Sequence, residues 1–189
     1  AYAKDNVLSD KSLFLHVVNE IDVHGLQYAP EKIREDEEII RLALNKNGRA
    51  LKYASETLRD REDIVLMAVS KRADALEFAS ENLKNKKEVV LAAIKGGASA
   101  WENVGSKFLQ NSKMIRASLV DLTGDDADLT RNNYVSAKVF ELFPNDIKSD
   151  RTLIMNLLEG DYRIFEFIDQ KLREDRHFLI QAVNTNCLV

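Results

Sequence analysis

Apolar pairs recur along this chain at a fixed distance. Ile39-Ile40, Ile64-Val65, Val89-Val90 and Met114-Ile115 follow one another at a constant step of 25. The same step carries Leu51 to Leu76 and Trp101, Ile33 to Leu58, Leu83 and Phe108, and Ala43 to Ala68 and Ala93. It also carries Tyr53-Ala54 to Phe78-Ala79 and then to Asn103-Val104. A period of this size marks a stacked array, in which each copy is one supersecondary unit that buries its apolar face against its neighbours. The register extends both ways. Leu13-Phe14 match Ile39-Ile40 with a step of 26, the extra residue falling within 19–24, and Tyr2-Ala3 match Tyr28-Ala29. Leu142-Phe143 match Phe167-Ile168, Ile147 matches Leu172, and Leu153-Ile154 match Phe178-Leu179, again 25 apart. Between the two blocks the register slips by just over half a period, in the segment 120–133.

Within a unit the spacing is helical. Ile39, Ile40, Ala43 and Leu44 form one helix face, and Ala50, Leu51, Ala54 and Leu58 a second. Only 2 prolines and 7 glycines interrupt 189 residues, and the abundant Ala, Leu, Glu and Lys favour helix. Asp60 with Asp63, and Asn85 with Glu88, have the spacing of an N-cap and its acidic N3 partner. Gly48 suits a left-handed stop between helices. Glu35, Asp36, Glu37 and Glu38 form an acidic run that complements the dipole of a helix start. These signals predict an all-α chain, a right-handed-type α-solenoid of about six to seven helix-turn-helix units, each with two helices of about 9–12 residues. Helices are expected to start near 36, 48, 61, 73, 86 and 98. Leu51, Ala54, Leu58, Ile64, Ala68, Leu76, Ala79, Leu83, Val89 and Ala93 are expected in the core. The domain reading is regular repeats over 1–119, a register-breaking acidic insert at 120–133 and further repeats over 134–189, all in one continuous solenoid.

The unit is too short for tetratricopeptide or ankyrin repeats, at about 33–34 residues, or armadillo-type repeats, at about 40 or more. The stretches Leu51-x-Tyr53-Ala54-Ser55-Glu56-x-Leu58-Arg59 and Leu76-x-Phe78-Ala79-Ser80-Glu81-Asn82-Leu83-Lys84 carry a more specific signal. They are followed by Ile64-Val65-Leu66-x-Ala68-Val69 and Val89-Val90-Leu91-Ala92-Ala93-Ile94. This pattern resembles a family of short two-helix repeats known only as a domain of unknown function. The family occurs in bacteria and protists, including secreted effectors of intracellular bacteria. The resemblance is good over 26–94 and weaker at 101–119 and from Tyr134 onward. It implies no catalytic residues and no cofactor, and it points to action in the cytoplasm or, for an effector, in the host cytoplasm.

Composition narrows the function classes. The 27 basic and 31 acidic residues give a net charge of -4, against the basic field that a phosphate-backbone binder needs. Cys187 is the only cysteine, so no intramolecular disulfide forms and a reducing compartment suits the chain. No apolar run reaches the roughly 20 residues that span a membrane. His16, His24 and His177 lack zinc-ligand spacing, and His16 and His177 are expected as partly buried imidazoles. Gly96-Gly97 belongs to a turn, not a phosphate loop.

The leading expectation is therefore a protein-interaction scaffold. Candidate contact residues are Trp101, which replaces a repeat leucine, and a basic edge of Arg59, Arg61, Lys84, Lys86 and Lys87. Two alternatives stand beside it. One is nucleic-acid binding along that basic edge. The other is an enzyme or metal-dependent module built on Asp121, Asp125, Asp126 and Asp128 of the insert, because hard cations take clustered carboxylates. Trp101 also reads as a core residue whose indole edge is satisfied. The chain opens and closes in mid-unit, and its last helix, 177–183, keeps an apolar face. That pattern gives the expectation of a longer parent chain or of a homodimer through exposed terminal helices.

Overall fold

The computed structural model describes residues 10–122 and 135–184. Among these residues every regular element is helical, and short elements stack in chain order. Helix α1 (Lys11–His16) continues through a π-helical turn, Val17–Ile21, into the 3₁₀ helix Val23–Tyr28. Three units then follow a common plan. A single α-turn (α2, Glu31–Arg34; α4, Glu56–Arg59; α6, Glu81–Lys84) leads into a ten-residue helix (α3, Glu37–Lys46; α5, Glu62–Lys71; α7, Lys87–Gly96). Each long helix runs on into a six-residue 3₁₀ helix, Gly48–Tyr53, Ala73–Phe78 or Ala98–Asn103. The plan resumes with α8 (Ser106–Leu109) and α9 (Ser112–Leu122). Beyond the undescribed segment lie α10 (Ala137–Phe140), α11 (Asn145–Lys148) and α12 (Arg151–Gly160). The 3₁₀ helix Tyr162–Phe167, α13 (Gln170–Glu174) and α14 (Arg176–Asn184) are the last described elements.

The observed starts at 37, 48, 62, 73, 87 and 98 lie within one residue of those expected. The second helix of each unit does not run continuously, however. It ends after six residues because Ala54-Ser55 and Ala79-Ser80 turn to extended backbone, with Ser55 at φ −62, ψ 162. Two bonds hold each break open. The Ser55 hydroxyl accepts from the Leu58 amide at 3.4 Å and Ser80 from Leu83 at 3.3 Å, each capping the next α-turn. The Ser55 amide itself donates to the Arg34 carbonyl of the preceding unit at 3.0 Å. Ser80 repeats this bond to Arg59 at 3.0 Å, Gly105 to Lys84 at 2.8 Å and Asp169 to Lys148 at 2.9 Å. One backbone bond per repeat therefore stitches neighbours together. The single step of 26 has a local cause as well. In the π turn the Asp22 amide reaches the Val17 carbonyl at 3.0 Å, so the helix absorbs one extra residue without losing phase.

The cap assignments shift by one residue. Arg61 and Lys86 occupy the cap positions of α5 and α7, with no side-chain cap bond. Asp60 instead accepts from the Ser80 hydroxyl of the next unit. Asn85 accepts from the Phe108 amide at 2.9 Å. The acidic run does cap its helix, since Asp36 accepts from the Glu38 and Ile39 amides. The role of Asn85 follows from Gly105, which stands where the other units have Ser55 and Ser80. A Cβ at Gly105 would lie 2.2 Å from the Asn85 side chain, so Asn85 fills the missing serine's place and caps α8 across the unit boundary. Asn85→Ala is expected to cost about 1 kcal/mol, the size of a lost cap. In a Gly105→Ser background the loss should shrink to a few tenths, because the new hydroxyl takes over the Phe108 amide. Equal losses in both backgrounds, measured by urea unfolding, would refute the exchange.

Gly48 is not a left-handed stop. Gly97 is the positive-φ glycine, at φ 154. A Cβ at Gly48 would meet the Ala68 carbonyl at 2.2 Å and the Arg72 Cβ at 3.1 Å, so glycine here lets α5 approach. One unit on, the roles reverse, and Ala73 packs on Gly96 and Gly97. Gly48→Ala should therefore lower stability by roughly 1–3 kcal/mol through overpacking. A thermal melt unchanged by the substitution would contradict this close approach.

All ten core expectations are buried. Around Phe143 the core changes character. Trp101 stacks at a tilt on Phe143 with centroids 5.7 Å apart, and Phe140 meets the same ring at 5.6 Å. Phe143 occupies the position that Ala54 and Ala79 hold in earlier units, so a large pair there replaces a leucine–alanine pair. The sequence-based assignment of His16 and His177 to partly buried sites is corrected, since both are exposed.

Candidate interaction surface

The five basic candidates do not form one edge. Arg61 and Lys86 lie at the starts of the long helices, where they bridge units. Arg61 pairs with Glu37 of the preceding unit at 2.5 Å and with Asp63 at 2.8 Å. Lys86 pairs with Glu62 at 2.7 Å. Arg41 pairs with Glu37 at 2.8 Å and also with Asp63. Lys11 continues the ladder to Asp36 at 2.8 Å and Glu38 at 2.7 Å. Across the insert Arg116 pairs with Asp150, and beyond it Arg151 pairs with Asp175 at 2.8 Å. Hydrogen bonds to Asp63 and Glu37 push the Arg61 guanidinium up, and the bond to Glu62 does the same for Lys86. The Arg61 guanidinium holds Asp63 below the ordinary carboxylate range despite partial burial. Exposed pairs of this kind each add little stability, but they set how units align and leave less free positive charge for a phosphate backbone. Lys87 is exposed at the first position of α7. Trp101, a candidate contact, is 1% exposed and lies beneath the surface. Its indole nitrogen is enclosed without a partner among the described residues, contrary to the expectation that it is satisfied.

Arg59 and Lys84 belong to a different edge, formed by the α-turns α2, α4 and α6. Each turn opens with a glutamate and closes with a cation three residues later. The glutamate side chains project, with 62% of Glu31, 96% of Glu56 and 77% of Glu81 exposed. The cations lie back, at 37% for Arg34, 31% for Arg59 and 19% for Lys84. Arg34 donates its Nε–H to the Tyr53 carbonyl at 2.9 Å, at the C-terminal end of a 3₁₀ helix, where a cation complements the local dipole. Arg59 has no such bond, and its Nε is enclosed and unpartnered among the described residues. Two clefts open side by side on this edge. One, of about 370 Å³, lies between α2 and α4 and is lined by Glu31, Arg34, Glu35 and Thr57 among others. The next, of about 480 Å³, lies between α4 and α6 and is lined by Arg59, Asp60, Phe78 and Asn82 among others. The second repeats the first one unit along, and Glu56, Thr57 and Arg59 line both.

Among the described residues no three His, Cys, Asp or Glu side chains converge as a metal ion would require. Asp121, Asp125, Asp126 and Asp128 lie outside the residues whose side chains are described. Among the described residues no helix is long and apolar enough to cross a membrane.

Helical units with one backbone stitch per period and a unit-phased outer edge define a helical-repeat protein. The model of the domain of unknown function DUF4116 matches residues 10–59, 61–109 and 150–189, and the chain belongs to that family. Each of the first two matches spans two of the structural units. No curated protein and no solved structure matches the chain. One signal for the ladder was present in the sequence but is easy to overlook. Opposite charges recur one short of the full period, as in Glu37 and Arg61, Glu62 and Lys86, and Arg151 and Asp175.

Proposed function

We propose that this chain is a protein-interaction scaffold and that its partner seats on the edge formed by α2, α4 and α6. The observation that carries the reading is the pair of adjoining clefts repeated at one-unit spacing, since solenoids bind along extended surfaces built this way. A photo-crosslinking residue placed at Thr57 or Asn82 should give discrete adducts with another protein, whereas one at Lys95 should not. Adducts absent from every surface position would overturn the scaffold reading. The blocks 1–119 and 134–189 act as one domain around the insert in this reading, supported by the Trp101–Phe143 contact and the Arg116–Asp150 pair.

The protein acts in the cytoplasm, and as part of a secreted effector in the cytoplasm of a host cell, a placement that rests on the family resemblance. A translocation reporter fused to the chain tests the effector placement, and retention in the producing cell would sink that half and leave the first. A second reading, self-association, is favoured by α14. Ile180 and Val183 are about half exposed there, whereas Leu158, one unit before Val183, is buried. Light scattering that returns a monomer at all concentrations would remove it.

A further inference from the structure

We infer that the α2–α4–α6 edge takes an extended segment of a partner protein that carries a lysine or arginine at every third residue. This inference rests on the scaffold reading and assigns the partner's chemistry. Two independent features lead to it. The first is charge layering. The clefts are lined by the carboxylates of Glu31, Glu35, Glu56 and Asp60 and by only two guanidinium groups, those of Arg34 and Arg59. The glutamates opening the turns project into solvent, while both arginines lie back against the stack. An incoming chain therefore meets carboxylates first, and a cationic side chain is the complementary one.

The second feature is spacing. Neighbouring packed helices lie about 8–10 Å apart, and the turns that bound the clefts are tied unit to unit by single backbone bonds, Ser55 to Arg34 and Ser80 to Arg59 at 3.0 Å, which sets a cleft repeat of that order. A polyproline II chain advances roughly 3.1 Å per residue, so every third side chain recurs after about 9 Å. Such a segment presents one side chain per cleft, all from the same side, without bending. Thr57 and Asn82 stand beside the clefts with polar groups suited to its backbone. Phe78 offers the second cleft an apolar wall for the aliphatic stem of a lysine or arginine.

The test uses the whole chain and a fluorescent peptide of four Lys-Pro-Ala triplets, read by anisotropy. A second peptide of the same composition gathers its lysines at one end. The phased peptide should bind at least threefold more tightly than the clustered one and weaken as salt is raised. Glu31→Gln with Glu56→Gln should weaken it roughly fivefold to tenfold. These side chains are largely exposed, and circular dichroism checks that the fold persists. The reversal Glu56→Lys should in addition gain affinity for a peptide with glutamate at every third position. Equal binding of both peptides, binding indifferent to the glutamate substitutions, no binding at all, or preference for a single-stranded RNA oligonucleotide would each overturn the inference. If the peptide fails while crosslinks from Thr57 or other surface positions still capture a discrete partner, the scaffold reading stands and the basic-peptide assignment falls. If the crosslinks fail too, both fall.

Discussion

Trp101→Ala is expected to lower the unfolding free energy by roughly 3–5 kcal/mol, the usual cost of removing a buried tryptophan. The side chain is 1% exposed, and Phe143 stacks on it from beyond the insert. No alanine-sized repacking is at hand, because Phe143 and Phe140 are themselves buried and already in contact. The effect should also be directional. Loss of the Trp101–Phe143 contact removes part of what joins the 135–184 units to those before the insert. Hydrogen exchange should therefore rise more in α11 and α12 than in α3, as local opening becomes cheaper on that side. Trp101→Phe separates volume from polarity. It keeps an aromatic ring beside Phe143 and removes an enclosed indole N–H without a partner, a group that costs about 1–3 kcal/mol when left unsatisfied. The phenylalanine variant should accordingly lose less than about 1.5 kcal/mol, the range of a shape-conserving apolar exchange. A tryptophan-to-alanine change that left stability intact and abolished partner capture would instead make Trp101 a contact residue.

Leu76→Ala is expected to cost about 2–5 kcal/mol. Leu76 is fully buried in the 3₁₀ helix Ala73–Phe78, midway along the first block. Its repeat counterparts Leu51 and Trp101 are buried as well, so the position is an inner face of the stack in three successive units. Ala75 beside it in the same 3₁₀ helix and Ala79 at that helix's end are small and buried, and they cannot expand into a cavity. The loss should appear as a lower urea midpoint with the slope retained, as for a change in stability without a change in mechanism. A loss below about 0.5 kcal/mol, the scale of an ordinary surface substitution, would mean that the stack can close over the gap. Leu51→Ala should cost a similar amount, since its surroundings repeat those of Leu76. A large disagreement between the two would show that the units are not energetically alike.

The order of elements and the inner face were legible in the residues themselves. Apolar spacing along Ile39, Ile40, Ala43 and Leu44 and its copies reports which side is buried, and the fixed period reports that the copies stack. Both follow from local periodicity, because a short amphipathic helix has no other way to hide its apolar face. The split of the second helix was half visible: Ser55-Glu56 and Ser80-Glu81 have the form of a cap and first-turn acid. What decides the split is the bond from each serine amide to a carbonyl of the preceding unit, a contact with no trace in local spacing.

Charge was the hardest to read. Arg59 and Arg61 are two residues apart, yet the chain leaves its α-turn between them. Arg61 joins the ladder beside Glu37, and Arg59 lies back against the other edge. Composition established that cations and anions nearly balance. Only the stack decided which carboxylates neutralise a neighbouring unit and which project into solvent. The same holds for Asn85, by sequence the cap of the helix that follows it and by structure the cap of α8 in the next unit. A one-dimensional pattern determines which side chains leave water, because burial depends on the face of a single helix. The partner each polar group finds depends on the distance and rotation between units, and those quantities exist only once the units are packed.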